Sequence, residues 1–185
     1  MRASRSVSPD RTAGMRRVIA AVAAIGAALA ALASFLPWIG TNTEGGGTTT
    51  ITGWGSIAGS SSIAGTNLND VMDSWTYRPG VIGLIFGGIA LVAAIAVAAR
   101  GTGVRPHRIT AGVLAVCGVL CLVWGLARGI APGEAGVFDA GETFAEMGPW
   151  LTALGGLLIV AAAVVVLVGR IDPPAPATRR GIQPR

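Results

Sequence analysis

Few residues of this chain have the types and spacing that chemistry requires. The single histidine, His107, lies between Arg105 and Arg108, and a solvated imidazole beside two cations is a poor metal ligand or general base. Cys117 and Cys121 are four residues apart, so a helix places both on one face. Redox dithiols have a C-x-x-C spacing or an exposed thiol of low pKa. We therefore predict that both cysteines are apolar packing residues.

The other candidate for chemistry is a group of carboxylates in the last third of the chain: Glu134, Asp139, Glu142 and Glu146. Clustered carboxylates bind calcium, but this spacing matches no calcium-binding loop. We expect a solvated acidic surface here. The sequence predicts no catalytic residue, no cofactor and no metal site.

The elements that surround these residues are apolar segments of membrane-spanning length. The chain is 52% apolar and 12% charged, whereas soluble domains carry roughly 25% charged residues. Residues 18–39, 81–99, 109–127 and 150–168 contain no ionisable side chain. A bilayer core requires roughly 20 apolar residues whose backbone groups pair within the segment. We predict an all-α membrane protein, a four-helix bundle over residues 18–169.

The interiors of these segments also limit the function. Apart from tryptophans and the two cysteines, their only polar side chains are Ser34, Thr110 and Thr152. Transporters and intramembrane enzymes usually place ionisable groups at membrane depth. The sequence therefore disfavours catalysis and ion-coupled transport.

The distribution of arginine predicts the orientation. Residues 1–17, 100–108 and 170–185 hold twelve arginines and two acids, whereas the loops 40–79 and 128–148 hold two arginines and seven acids. The positive-inside rule then puts both termini in the cytoplasm of a plasma-membrane protein. The net charge of +5 describes this asymmetry, and no nucleic-acid partner is predicted. Both terminal tails are predicted to lie outside the bundle, and the proline-rich C-terminal tail is predicted to be disordered.

An alternative stays open at the N terminus. Ala31-Leu32-Ala33 followed by Ser34 resembles the cleavage site of a secretory signal. The apolar run is longer than most signal sequences, because it continues to Pro37-Trp38. An uncleaved first span is favoured.

The first outer loop is the only segment long enough to build structure outside the membrane. The β-branched run 48–52 predicts a strand, and the glycines 45–47 predict a turn before it. We expect a small two- or three-stranded extracytoplasmic element. Residues 69–75 are expected to form a helical turn, and residues 143–146 a short helix leading into the fourth span.

Tryptophans and glycines are the candidates for contact with a partner. Trp38 lies at the outer end of the first span and Trp54 and Trp75 in the first outer loop, where an apolar ring with a polar edge suits the headgroup region. Gly83-x-x-x-Gly87 is a motif for close helix approach. Packing within the bundle is the alternative use of these glycines, and the sequence favours it.

The order of these motifs resembles the claudin-type tetraspan proteins. Leu36-Pro37-Trp38 ends the first span, and a loop with a threonine-rich strand and Gly53-Trp54 follows. Gly148-Pro149-Trp150-Leu151 resembles the start of the fourth span in small four-helix membrane proteins of actinobacteria. This chain lacks the paired loop cysteines of claudins. The resemblance implies an adhesive, barrier or auxiliary subunit, such as the small subunit that accompanies Mce (mammalian-cell-entry) lipid importers.

Two functions follow as expectations. The first is a non-catalytic accessory subunit that contacts the lipid bilayer and a larger membrane-protein complex through Trp38, Trp54, Trp75, Gly83 and Gly87. The second is a minimal oligomeric transporter or lipid-binding protein, with the outer tryptophans lining an entrance.

Overall fold

Four long helices make up most of the part of the chain that the structure describes. The computed structural model describes residues 9–43, 46–71, 76–99, 107–135 and 143–168. The long helices are α1 (Pro9–Ala33), α3 (Gly80–Ala99), α4 (His107–Ile130) and α5 (Met147–Leu167), with a single turn, α2 (Leu68–Val71), and a 3₁₀ turn at Pro132–Ala135. Among the described residues, these four helices each hold 20 to 23 residues of membrane-spanning hydropathy. The prediction of four such helices is confirmed.

The outward faces of the helices are apolar as well as the inward ones. Val92 on α3 is 69% exposed, and Ile109 on α4 is 75% exposed. A helix that is hydrophobic all round belongs in a core or a membrane. Four such helices with exposed apolar side chains suggest a multi-pass membrane protein.

The predicted end of the first span, at residue 39, is wrong. Helix α1 ends at Ala33, and Pro37 begins a strand. Proline has no N–H, and it disfavours the helical conformation of the residue before it, here Leu36. The amides of Ser34, Phe35 and Leu36 instead close the end of the helix with bonds to carbonyls three residues back. The apolar run therefore changes from helix to strand at the proline.

A small antiparallel sheet lies at one end of the bundle. Its strands are β1 (Pro37–Thr43), β2 (Gly47–Thr52), β3 (Ile57–Gly59) and β4 (Thr143–Ala145), in the order β3-β2-β1-β4. The predicted strand at residues 48–52 lies within β2, and Gly46 in the preceding turn has a φ of +85°. The sheet has four strands, one more than the two or three that the sequence predicted.

The helix predicted at residues 143–146 is wrong, because residues 143–145 form strand β4. Phe144 pairs with Gly40 and Ala145 with Ile39 on the free edge of β1. An unpaired edge offers a row of backbone donors and acceptors. Those bonds determine the conformation of a segment that is too short to form a stable helix alone.

Glycines mark three of the four contacts between neighbouring helices. A Cβ on Gly26 would lie 2.7 Å from the carbonyl oxygen of Gly155, across α1 and α5. Gly87 approaches α1, and Gly156 approaches the backbone of Leu122 on α4. No described glycine makes such an approach between α3 and α4, which also share the smallest contact of the neighbouring pairs. Close backbone approach is what stabilises helix pairs in lipid, so this fourth contact is the loosest.

We expect Gly156→Ala to destabilise the bundle and Gly88→Ala to leave it intact. The new methyl group at position 156 would collide with the backbone of Leu122, whereas nothing lies within 4 Å of the same group at position 88. Overpacking costs about 1–3 kcal/mol, while alanine in a helix is favoured over glycine. The buried free thiols of Cys117 and Cys121 provide the readout, since a thiol-reactive dye in detergent reports unfolding. Equal melting temperatures for the two variants would contradict this assignment.

Candidate functional site

Trp38 lies inside the fold, where it joins three elements. The residue is 1% exposed, and its indole N–H donates to the carbonyl of Ala33 at 2.9 Å. A Cβ on Gly53 would lie 2.7 Å from the same indole nitrogen, and Gly148 at the start of α5 is in equally close contact. The expectation that the Trp38 ring is available to headgroups or to a partner is therefore wrong. Its side chain offers no surface to a partner, because α1, the sheet and α5 enclose it.

Gly83 and Gly87 face the first helix of the same chain. A Cβ on Gly83 would lie 2.7 Å from the carbonyl oxygen of Ala30, and one on Gly87 would lie 2.9 Å from that of Ala27. Both glycines are buried. The close-approach motif is thus used in the contact between α1 and α3, which is the alternative that the sequence favoured.

Trp54 is the candidate that keeps an accessible aromatic surface. Its ring stacks on Phe35, with centroids 5.8 Å apart and planes 23° from parallel. Phe35 is 57% exposed, and its neighbours Leu32 and Leu36 are 64% and 36% exposed. We call these four side chains the aromatic patch. The patch lies where α1 meets the sheet. The third predicted tryptophan of the interface, Trp75, lies outside the described residues.

Two asparagines hold the backbone of Trp54 in place. The side-chain amides of Asn67 and Asn69 both donate to the Trp54 carbonyl, at 3.3 and 3.1 Å. Asn69 also accepts the backbone N–H of Tyr77 at 2.6 Å, and Gly55 completes the turn with a φ of +86°. Trp54, one of the four members of the aromatic patch, thus lies on a turn that side-chain hydrogen bonds stabilise.

Sequence reasoning missed this pair of asparagines, although a signal was present. Asparagine side chains often bond the backbone two residues further on, and the N–H of Asn69 donates to Oδ1 of Asn67 at 3.0 Å. The spacing Asn67-Leu68-Asn69 therefore indicates a side-chain-capped turn.

Tyr77 belongs to the small core beneath the sheet. It is 3% exposed and packs with Ile39, Ile51, Ile57 and Leu68. Burial raises the pKa of the Tyr77 phenol well above its usual value, and the charge of Arg128 lowers that pKa only in part. The phenol therefore stays protonated at physiological pH.

The residues singled out for chemistry form no metal-ligating group among those that the structure describes. Cys117 and Cys121 are free thiols, 4% and 0% exposed, inside the bundle. His107 is the first residue of α4, while Asp139 and Glu142 lie outside the described residues. Over the part of the chain that the structure describes, no three side chains of the metal-ligating types form a group.

Comparison with known proteins adds no family assignment. No known protein-family model matches the chain, and no curated protein gives a significant match. The function proposed below therefore depends on the geometry and on the sequence pattern of the chain itself.

We expect Asn69→Ala to destabilise the turn that carries Trp54. The substitution removes the bonds to the Trp54 carbonyl and the Tyr77 amide, and each such bond contributes about 1 kcal/mol. Hydrogen–deuterium exchange at Tyr77 should become faster, whereas the exposed Asn42→Ala on β1 provides a matched control. Unchanged exchange at Tyr77 would show that the asparagine does not brace the turn.

Proposed function

We propose that this chain is an accessory subunit of a larger complex in the plasma membrane, with both termini in the cytoplasm and the sheet outside. The arginine distribution supports the orientation, since two arginines and seven acids occupy the loops on the sheet side. The four apolar helices support the membrane location.

The aromatic patch is the observation that carries the accessory role. Phe35 is exposed and stacks on the half-buried Trp54 at the junction of helix and sheet, and the asparagine bonds hold the backbone of Trp54. Interface hot spots are enriched in such preorganised aromatic side chains. A partner that spans the membrane would meet Leu32 through its helix and Trp54 through its outer domain.

The mechanism of such a subunit is lateral docking without chemistry. The described glycines that approach another helix closely do so within the chain, at the α1–α3, α1–α5 and α4–α5 contacts. A partner helix is therefore received by exposed apolar side chains of the bundle and by the aromatic patch. The resemblance to the small four-helix proteins of actinobacteria supports an Mce-type lipid importer as the larger complex.

The alternative is a minimal oligomeric transporter or lipid-binding protein with outer tryptophans around an entrance. The burial of Trp38 at 1% exposure removes one member from that ring. Trp54 stacks against Phe35 on the outside of the bundle. Both observations favour the accessory role.

We expect Ser62→Cys to react with a membrane-impermeant maleimide in intact cells, and Thr102→Cys to react only after permeabilisation. Ser62 is exposed beside the sheet, whereas Thr102 lies in the arginine-rich loop between the second and third spans. The background carries Cys117→Ala and Cys121→Ala, so that the introduced thiol alone is labelled. The reverse labelling pattern would refute the orientation.

We expect the full chain to copurify from native membranes with a larger protein in stoichiometric amount, identified by mass spectrometry after mild detergent extraction. Phe35→Ser with Trp54→Ser should weaken binding of that protein by about thirtyfold or more and lower its recovery, because buried aromatic anchors contribute about 2 kcal/mol or more. Ile63→Ser is the matched control, since Ile63 is 39% exposed but lies outside the patch.

Two results would count against the accessory role. One is recovery of the chain only as a homo-oligomer with bound lipid, which is the outcome for the alternative function. The other is equal recovery of the partner with the patch variant and the control. A dye-based melting curve of each variant separates loss of docking from loss of folding.

A further inference from the structure

The only two arginines of the predicted outer loops come together in one groove. Arg78 and Arg128 are 50 residues apart in the sequence, among seven acids on the same side. Both line an open groove of about 520 Å³ where α3 begins and α4 ends, together with Tyr77, Val81, Ile82 and Trp124. The fold thus brings to one position the two positive charges of loops whose other charged residues are all acidic.

We call this cavity the arginine groove. The aromatic ring of Trp124 positions its basic side. The guanidinium carbon of Arg128 lies 4.7 Å from the ring centroid of Trp124, a cation–π geometry. The indole N–H of Trp124 donates to the carbonyl of Pro79 at 2.9 Å, which ties α4 to the residue after Arg78. Arg78 itself is exposed. Two guanidinium groups that line one groove suit a phosphate, which arginine binds through paired hydrogen bonds.

The other half of the groove is apolar and continues along the helix. Val81 and Ile82 form its wall on the first turn of α3. Ile85 and Ile89 follow Ile82 at helical spacing and are 50% and 44% exposed. An apolar track therefore leads from the groove along the outward face of α3.

The groove opens at the loosest helix contact of the bundle. No described glycine draws α3 and α4 together, unlike the other three neighbouring pairs. A ligand with a long apolar chain can therefore lie against α3 beside α4 without displacing a close backbone contact. The position at the start of α3 and the end of α4 is also the boundary of two membrane-spanning segments.

We infer that the arginine groove binds an anionic phospholipid of the outer leaflet, with its phosphate between Arg78 and Arg128 and an acyl chain along Ile82, Ile85 and Ile89. A charged head above an apolar track is the arrangement that an amphiphile with one phosphate requires. A free phosphate would use the arginines alone. The inference rests on the proposed membrane placement and is independent of the accessory role.

Native mass spectrometry of the purified full chain in detergent tests this inference. The probes are phosphatidylglycerol, phosphatidylcholine of the same acyl chains, glycerol phosphate and inorganic phosphate. We expect phosphatidylglycerol to bind more tightly than phosphatidylcholine, and Arg78→Gln to weaken its binding by about tenfold, the effect of one charge-assisted contact. Arg108→Gln is the matched control, because it removes an exposed arginine at the opposite end of α4.

Each outcome decides the inference. A preference for phosphatidylglycerol that Arg78→Gln removes and Arg108→Gln retains would support it. Equal binding of the two lipids, or no effect of Arg78→Gln, would overturn it. Displacement of phosphatidylglycerol by glycerol phosphate or inorganic phosphate at equal concentration would show a free-anion site instead. Copurification of a partner is measured separately, so that failure of the accessory role leaves these results unaffected.

Discussion

The final carbonyl groups of α1 must find donors at the edge of an apolar bundle, and the architecture around the sheet depends on how they do so. In hydrocarbon an unpaired backbone group costs several kcal/mol. The Ala31 carbonyl receives the amide and the hydroxyl of Ser34, and the Ala33 carbonyl receives the Leu36 amide and the Trp38 indole. The Leu36 carbonyl receives the Gly53 amide. The helix end is thus completed by the turn and the strands that follow it.

Side-chain size determines which helices lie close together. Where glycines and alanines face each other, as at Gly87 and Ala27, backbones approach to within van der Waals contact. Between α3 and α4, no described glycine makes such an approach. The same pattern thus determines both the tight core and the position of its loosest contact. The arginine groove lies at one end of that contact.

The long helices were predictable because each apolar segment satisfies its own backbone groups, so length and hydropathy suffice. The strand at Thr48 was predictable from its β-branched residues and the glycine turn before it. The environment of the Trp38 side chain was predicted wrongly. Apolar residues continue through Pro37 to Ile39, so that hydropathy did not indicate the change from helix to strand. Strand β4 was missed, because only the edge of a strand about 100 residues earlier determines its conformation. The convergence of Arg78 and Arg128 depends on which helices are neighbours, which local patterns do not reveal.

Strand pairing at the sheet links the two helices at the ends of the described chain. A three-residue turn separates α1 from strand β1, and a single residue separates strand β4 from α5. These strands pair with each other, and the Glu146 amide donates to the Trp38 carbonyl. A torque applied to the sheet is therefore transmitted to α1 and α5 together, because no slack linker separates either helix from its strand. Helices α3 and α4 are connected to the sheet less directly, through the Gly80 amide, which donates to the Gly53 carbonyl just after β2, and through the Trp124 indole, which donates to the Pro79 carbonyl.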